Sequence, residues 1–301
     1  MENKITYKID EKYETLRIDR VLPLLNTDYS RAYFSNMIKN NEVLVNGKTV
    51  SPSYKVKKDD IIVCDFKDNK DDLKPYEYKL DIVYEDEDIL VINKPKGLVV
   101  HPGGGHHDDT LVNALIYTKK ELSTINGALR VGIVHRIDKD TSGLLLVCKN
   151  DYSHIEIAKQ LKDHSMHREY IALVDGVIES NTGKIVGPIG RDNKNRLKMC
   201  IDTVNGKDAT THFKVLKRFQ KYTLIECSLE TGRTHQIRVH MSSIHHSVVG
   251  DPLYGGSTSI YNNGQLLHAY KLTFTHPRSK KIMTLEVPLP DYFNEVLKDL
   301  K

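Results

Sequence analysis

Residues Val131–Asn150 read VGIVHRIDKDTSGLLLVCKN, and the rest of the chain is organised around this stretch. Two apolar runs, Val131–Val134 and Leu144–Val147, flank a polar core, His135-Arg136-Ile137-Asp138-Lys139-Asp140-Thr141-Ser142-Gly143. The pattern predicts a buried strand, a tight polar crossing and a second buried strand. The crossing brings together two carboxylates, an arginine, a lysine and a histidine, followed by small hydroxyl residues and a glycine that permits backbone geometry closed to other residues. Solvated turns rarely sit between strands this apolar, so the crossing is expected to present chemistry at a sheet edge. On these residues alone, Asp138 and Asp140 are both candidates for the reactive carboxylate.

With 301 residues, 39% hydrophobic and 28% charged, the chain has the length for two domains and the composition of a soluble globular protein. No apolar run approaches the ~18 residues that span a bilayer. The start, MENKITYKIDEKYE, is too polar for a secretory signal, so a cytoplasmic protein without membrane contact is expected. Cys64, Cys148, Cys200 and Cys227 lie too far apart for a zinc or redox motif and read as reduced, structural residues. Lys+Arg exceed Asp+Glu only by 44 to 40, so any nucleic-acid surface must come from local clustering. Trp is absent, which leaves Tyr, Phe and His for base stacking.

Near the N-terminus, apolar residues at helical spacing predict a helix over Thr15–Leu25, with Thr15 as cap and Pro23 as a local objection. Ser30–Asn40 predicts a second helix capped by Ser30. Glu42–Lys48 alternates around Val43 and Val45 and turns on Asn46-Gly47, a strong hairpin signal, and a further strand ends in Ile61-Ile62-Val63. Arg17, Arg20, Arg31 and Lys39 fall on this module, where cations on rigid helices would contact phosphates without reading sequence. Lys67–Lys74, KDNKDDLK, reads as a linker, giving domains at 14–75 and 78–301.

In the second domain, strands are expected at Ile82–Tyr84, Ile89–Asn93, Arg168–Gly176, Phe213–Leu216, Tyr222–Leu229, Leu266–Phe274 and Ile282–Val287. Helices are expected at Leu111–Tyr117, Ser153–Lys162 and Tyr292–Leu300, and after Gly232, where Thr234 is available as cap and Ile237, Met241 and Ile244 point inward. Tyr170, Ala172 and Val174 share one face of the 168–176 strand. His101, His106, His107, Asp108 and Asp109 crowd one Gly-rich loop, but their spacing fits no standard ligand set, and no metal is assigned. His235 and His240 stand five apart, which is wrong for a zincin pair, and read as hydrogen-bonding histidines.

The wording HRIDKDTSG resembles the HR(L/I)DxxTSG signature of the RluA/RluD-type pseudouridine synthases, which isomerise uridine in large-subunit rRNA and some tRNA. REYIALVDG resembles that family's (K/R)xYxAxVxG stretch, and TGRTHQIRVH…GDPLYG its third segment. LRIDRVL…YSRAYFSNMIKNNEVLVNGKTV resembles an S-four-type RNA-binding domain. The resemblance implies an α+β fold, a mixed and mainly antiparallel sheet with peripheral helices behind a small RNA-binding domain. It also implies that Asp138 is the catalytic aspartate, Tyr170 the active-site tyrosine and Arg233 the arginine paired with Asp138. One departure is visible: His245-His246 stands where the family commonly has Gly-His, which puts that loop's geometry in question.

Uridine isomerisation moves the ribose bond from ring nitrogen 1 to ring carbon 5. Atoms and oxidation state balance, so the chemistry requires no metal or redox cofactor. It needs a carboxylate near the sugar, a cation to keep it ionised, a flat surface for the detached uracil and a base for the carbon 5 proton. Asp138 suits the first role, as nucleophile or as base, with Arg233 as the cation and Tyr170 stacking on the ring and helping to remove the proton. Arg136, two residues before Asp138 on the same side of an extended segment, is placed to fill the space of an everted nucleotide, and His135 and Thr141 are expected to face RNA beside it. The expected partner is large-subunit rRNA, bound by a monomer. Two readings compete: a non-catalytic RNA-binding or ribosome-assembly factor, opposed by the intact Asp138, Tyr170 and Arg233, and a carboxylate-pair hydrolase, opposed by the close spacing of Asp138 and Asp140.

Overall fold

A computed structural model describes residues 4–26, 31–66, 73–103, 105–119, 121–127, 130–195 and 197–301, and the statements that follow concern these. Ser30 and most of the run read as a linker lie outside them.

The N-terminal part contains β1 (Lys4–Lys8), α1 (Ile18–Leu25), α2 (Arg31–Lys39), β2 (Val43–Val45), β3 (Lys48–Thr49) and β4 (Ile61–Asp65). Its strands form an antiparallel sheet in the order β1-β4-β2-β3, with Val21, Leu22, Phe34, Ile38, Val43 and Ile62 buried between helices and sheet. Asn46 and Gly47 both have positive φ (50° and 75°), the geometry of a tight hairpin turn. The first helix begins later than expected. Thr15 is in the left-handed region at φ 67°, and the extended Arg17 occupies the cap position, so Thr15 does not cap. Pro23 lies inside the helix, two residues before its end, and has no N–H to give to the Asp19 carbonyl.

The remaining elements are β5 (Ile82–Glu85), β6 (Ile89–Lys94), α3 (Leu111–Thr118), β7 (Ser142–Cys148), α4 (Asp151–Lys162), β8 (His167–Asp175), β9 (Thr182–Val186), β10 (Ile189–Arg191), β11 (Met199–Ile201), β12 (Thr210–Arg218), β13 (Tyr222–Leu229), α5 (Gln236–Ser243), β14 (Leu267–Thr275), β15 (Ile282–Glu286) and α6 (Asp291–Lys298). A large mixed sheet runs β5-β6-β7-β14-β8-β13-β12-β9, and β15 pairs with the outer half of β14. All its pairings are antiparallel except a short parallel contact between β7 and β14. Both faces of the central strands are covered. Leu145, Val147, Tyr170, Ala172 and Val174 meet α3 and α5 on one side, while Leu144 and Leu146 meet α4, and Ile171 and Leu173 meet Phe293 of α6, on the other. A strand buried on both faces reads as an unbroken apolar run, which accounts for Leu144–Val147.

The first apolar run, Val131–Val134, is not a strand. It bends at Gly132 (φ 69°), and only Ile133 makes an isolated bridge to Val147. A four-residue apolar run fits a buried coil as well as a strand, and here Val131 and Ile133 fill the core without pairing along an edge. The motif therefore approaches β7 through an extended coil and a turn at Lys139-Asp140. At the start of β7, Gly143 is at φ 112°, and a Cβ there would lie 2.2 Å from the Ala269 carbonyl oxygen. Only glycine lets β7 meet β14 at this point. The strands β1 and β9–β11 were not anticipated, because Lys4–Lys8 and Thr182–Val186 are mostly exposed and lack the apolar signal of core strands.

Candidate active site

Along the extended coil, exposure alternates: His135 and Ile137 are buried, Arg136 is exposed, and Asp138 is partly exposed. Ile137 anchors the coil in the core, so the even-numbered side chains face outward on the side of the sheet that carries Tyr170 and α5. The cleft there is lined by Arg136, Asp138 and Thr141 from the coil, Arg168 and Tyr170 from β8, and Gly232 to Arg238 from the loop and start of α5.

The turn after Asp138 is braced from below. Lys94, fully buried at the end of β6, donates its three protons to the carbonyls of Pro95 (2.7 Å), Leu98 (2.9 Å) and Lys139 (3.0 Å). Burial lowers this ammonium's pKa to about 7, against the pull of Asp138 and Asp140. Gly97 N–H also donates to the Lys139 carbonyl, at 2.9 Å. The backbone that carries the aspartate is thereby tied to the β6 loop rather than left as a free turn.

The cation on Asp138 is Arg238, not Arg233. Arg238 Nη1 donates to Asp138 Oδ2 at 3.0 Å, while its Nε and Nη2 grip both oxygens of the fully buried Asp251 at 2.7 and 3.0 Å. Burial opposes the Arg238 charge, but the hydrogen bonds and field of Asp251 and Asp138 outweigh it and hold the guanidinium protonated. Its planar fork grips Asp251 with two N–H donors in a bidentate pair while a third reaches Asp138, a geometry fixed by the rigid guanidinium. Asp251 is held in turn by the Leu253 and Tyr254 N–H groups. Arg233 is exposed on the same cleft and spends its Nε on the Asp208 carbonyl at 3.0 Å. The sequence carried a signal for the difference. Arg238 stands three residues before Met241, on the face already expected to turn inward, whereas Arg233 precedes the helix.

Around this pair, His235 caps α5 from the left-handed region (φ 57°), its Nδ1 2.8 Å from the Tyr254 hydroxyl and its Nε2 3.9 Å from Asp138 Oδ1. Thr234 does not cap the helix. Tyr254 also accepts the Met199 N–H at 2.8 Å, which joins the β10–β11 hairpin to the site, and its ring lies 4.9 Å from the Arg238 guanidinium. Desolvation holds the His235 imidazole below its usual pKa despite the nearby carboxylate. Tyr170 is buried, and desolvation raises its pKa, so it faces the cleft as a neutral phenol. That weakens its expected part in proton removal and leaves the stacking surface.

Other expected residues lie elsewhere. His135 does not face RNA: its buried ring accepts the Leu146 N–H at Nε2 (3.0 Å) and burial lowers its pKa to about 3. Thr141 lines the cleft but is 1% exposed and accepts from Gln265 at 3.1 Å, a fixing role. Asp140 turns toward Gly264 and Lys96, away from the cleft. In the N-terminal part, Arg17 and Arg31 both close on the buried Asp19, at 3.0 and 2.7 Å, leaving their outer surfaces 41% and 52% exposed, and Arg20 and Lys39 are exposed. His245 adopts φ 64°, the left-handed turn that follows a helix end and favours glycine, and His246 Nδ1 meets the Asp175 carbonyl at 2.7 Å. The expectation missed Arg168, Arg238, Asp251 and Tyr254.

The chain belongs to the RNA pseudouridine synthases: the family model described as RNA pseudouridylate synthase matches residues 88–243, and an S4 domain, an RNA-binding module, matches residues 16–62. It is thus an RNA-modifying isomerase. It is 47% identical to the uncharacterized RNA pseudouridine synthase YlyB of Bacillus subtilis over 300 residues, 99% of each chain. It is 42% identical to ribosomal large subunit pseudouridine synthase D of Neisseria meningitidis, covering 100% of this chain and 83% of that one. Among solved structures, human RNA pseudouridylate synthase domain containing 1 matches with a TM-score of 0.57 and 28% identity, over 70% of this chain and 83% of that one. Among the described residues, no helix is long and apolar enough to cross a membrane.

Proposed function

We propose that this enzyme converts specific uridines of large-subunit ribosomal RNA to pseudouridine, with Asp138 as the reactive carboxylate. The observation that carries the reading is the partly exposed Asp138 carboxylate, lining the cleft with Tyr170, with Oδ2 fixed by Arg238 and Oδ1 3.9 Å from His235 Nε2. The full-length similarity to a large-subunit rRNA enzyme supports the substrate class.

In this reading the target uridine leaves its helix and enters the cleft. Eversion costs a few kcal/mol, least at loops and bulges. Arg136, exposed at the rim, occupies the vacated space, and the uracil lies on Tyr170. Asp138 acts on the sugar or the ring as the C1′–N1 bond breaks. The ring turns, carbon 5 bonds to C1′, and carbon 5 loses its proton while N1 gains one. Domains 14–75 and 78–301 divide the work, the first holding RNA phosphates through Arg17, Arg20, Arg31 and Lys39, the second carrying out the reaction.

Asp138→Asn tests the assignment. It is expected to bind an rRNA fragment normally and to release no tritium from 5-tritiated uridine. Turnover by this variant overturns the role of Asp138. Pseudouridine mapping of rRNA from cells lacking the protein tests the substrate, and an unchanged large-subunit map overturns it.

A further inference from the structure

Arg168 is the buried charged side chain of the cleft for which the reaction as described has no use. It is 8% exposed, stands two residues before Tyr170 on the same face of β8, and lines the cleft with Asp138. Among the described residues it makes no ion pair, and its buried Nε has no hydrogen-bond partner. Desolvation lowers the Arg168 pKa; Tyr170 partly offsets it, and Arg233 adds a like charge. Arg238, equally buried, has two carboxylates. An uncompensated buried guanidinium costs several kcal/mol, so its persistence at a cleft floor points to a ligand that supplies the missing acceptor. The backbone makes room for it: a Cβ at Gly232 would lie 2.3 Å from Arg168 Nη1.

We propose that Arg168 is a catalytic residue whose guanidinium receives a carbonyl oxygen of the everted uracil and carries the negative charge of the detached ring. This rests on the reading of Asp138 and Tyr170 given above. When the C1′–N1 bond breaks, its electron pair stays with the ring and spreads over N1 and the two carbonyl oxygens. When carbon 5 bonds to C1′, a ring pair forms that bond, the carbon 5 proton leaves, N1 takes one up, and the charge is gone. The charge on the ring is therefore transient, and a fixed cation in a water-poor pocket stabilises the intermediate more than the substrate. RNA phosphates are the other possible acceptor. Arg136 and Arg233, exposed at the rim, are placed for those, while the base is the part of the nucleotide that reaches Arg168 beside Tyr170.

The test uses the full-length protein and an rRNA fragment carrying 5-tritiated uridine. Arg168→Met is expected to lower the single-turnover rate at saturating RNA by about 10²–10³, the usual loss for one preorganised donor. RNA affinity and its salt dependence are expected to stay unchanged, and the melting temperature to hold or rise, because an unpaired buried charge has been removed. Arg168→Lys should recover part of the rate, and Gly232→Ala, which displaces the guanidinium, should lower it with Arg168 present. A wild-type rate for Arg168→Met overturns the proposal. So does a weaker affinity with a shallower salt slope and an unchanged rate, the signature of a phosphate contact, and so does a rate loss that tracks a lowered melting temperature. Should Arg168→Met fail to fold, Gly232→Ala decides, and a wild-type rate there overturns the proposal. Asp138→Asn run in parallel separates the two claims: if it is inactive while Arg168→Met is fully active, only the role of Arg168 falls.

Discussion

Replacing Arg238 by methionine and, separately, Arg233 by methionine distinguishes the two arginines of the third motif. Arg238→Met leaves Asp251, fully buried, without its bidentate partner, and Asp138 without its guanidinium. Breaking a buried pair on one side costs about 3–5 kcal/mol. The Leu253 and Tyr254 N–H groups still satisfy part of Asp251, so the lower end, about 3 kcal/mol, is expected. At about 2–4 °C per kcal/mol for a domain of this size, the melting temperature should fall by about 6–12 °C. The single-turnover rate should fall by 10² or more, because Asp138 loses both its orientation and its counter-charge. Arg233 is exposed and holds one carbonyl, so Arg233→Met should change stability by no more than about 0.5 kcal/mol. Its effect should fall on RNA affinity, with the salt slope reduced by about one. Thermal unfolding followed by circular dichroism, tritium release and filter binding measure the three quantities. If Arg233→Met abolishes turnover and Arg238→Met leaves stability and rate intact, the ion-pair assignment is refuted.

Acid should destabilise the protein in part through His135. Unfolded, this imidazole takes a proton near pH 6.5, whereas burial holds it off until about 3, so the unfolded state binds more protons in that window. Stability should fall by about 1.4 kcal/mol per pH unit below 6.5, and His135→Gln should flatten that slope in urea unfolding; parallel curves for the two proteins would count against it. Gly143→Ala combines a left-handed φ of 112° with a 2.2 Å backbone clash and should cost more than about 4 kcal/mol or prevent soluble expression, so a variant melting near wild type would be contrary. In the N-terminal part, Asp19→Asn removes the charge that holds Arg17 and Arg31, and RNA affinity should fall about tenfold while the rate at saturation is unchanged. A matching loss of rate would contradict the division of labour.

Much of the site was legible because it is local. The run from His135 to Ser142 announces a polar coil leading into a doubly buried strand, and the alternation of Arg136, Ile137 and Asp138 fixes which side chains face out. Tyr170 was marked by the resemblance of REYIALVDG to the family's stretch, while the period of β8 fixes only the face it shares with Ala172 and Val174. The edges of the fold were less legible. Val131–Val134 has the composition of a strand but only one bridging residue, while Lys4–Lys8 forms a strand with little apolar content because β4 supplies the partner.

The sequence by itself determined that Leu144–Val147 is a hidden strand, where the carboxylate-bearing turn falls and which family's chemistry it resembles, since apolar runs and motif wording are properties of neighbours along the chain. Only the tertiary structure decided which arginine serves Asp138, that His135 is a core residue, and that Arg168 makes no ion pair among the described residues. The reason is that charge pairing depends on distance in space. Asp138, Arg238 and Asp251 come from three separate parts of the chain, and nothing in the spacing of their letters fixes that they meet within 3.0 Å.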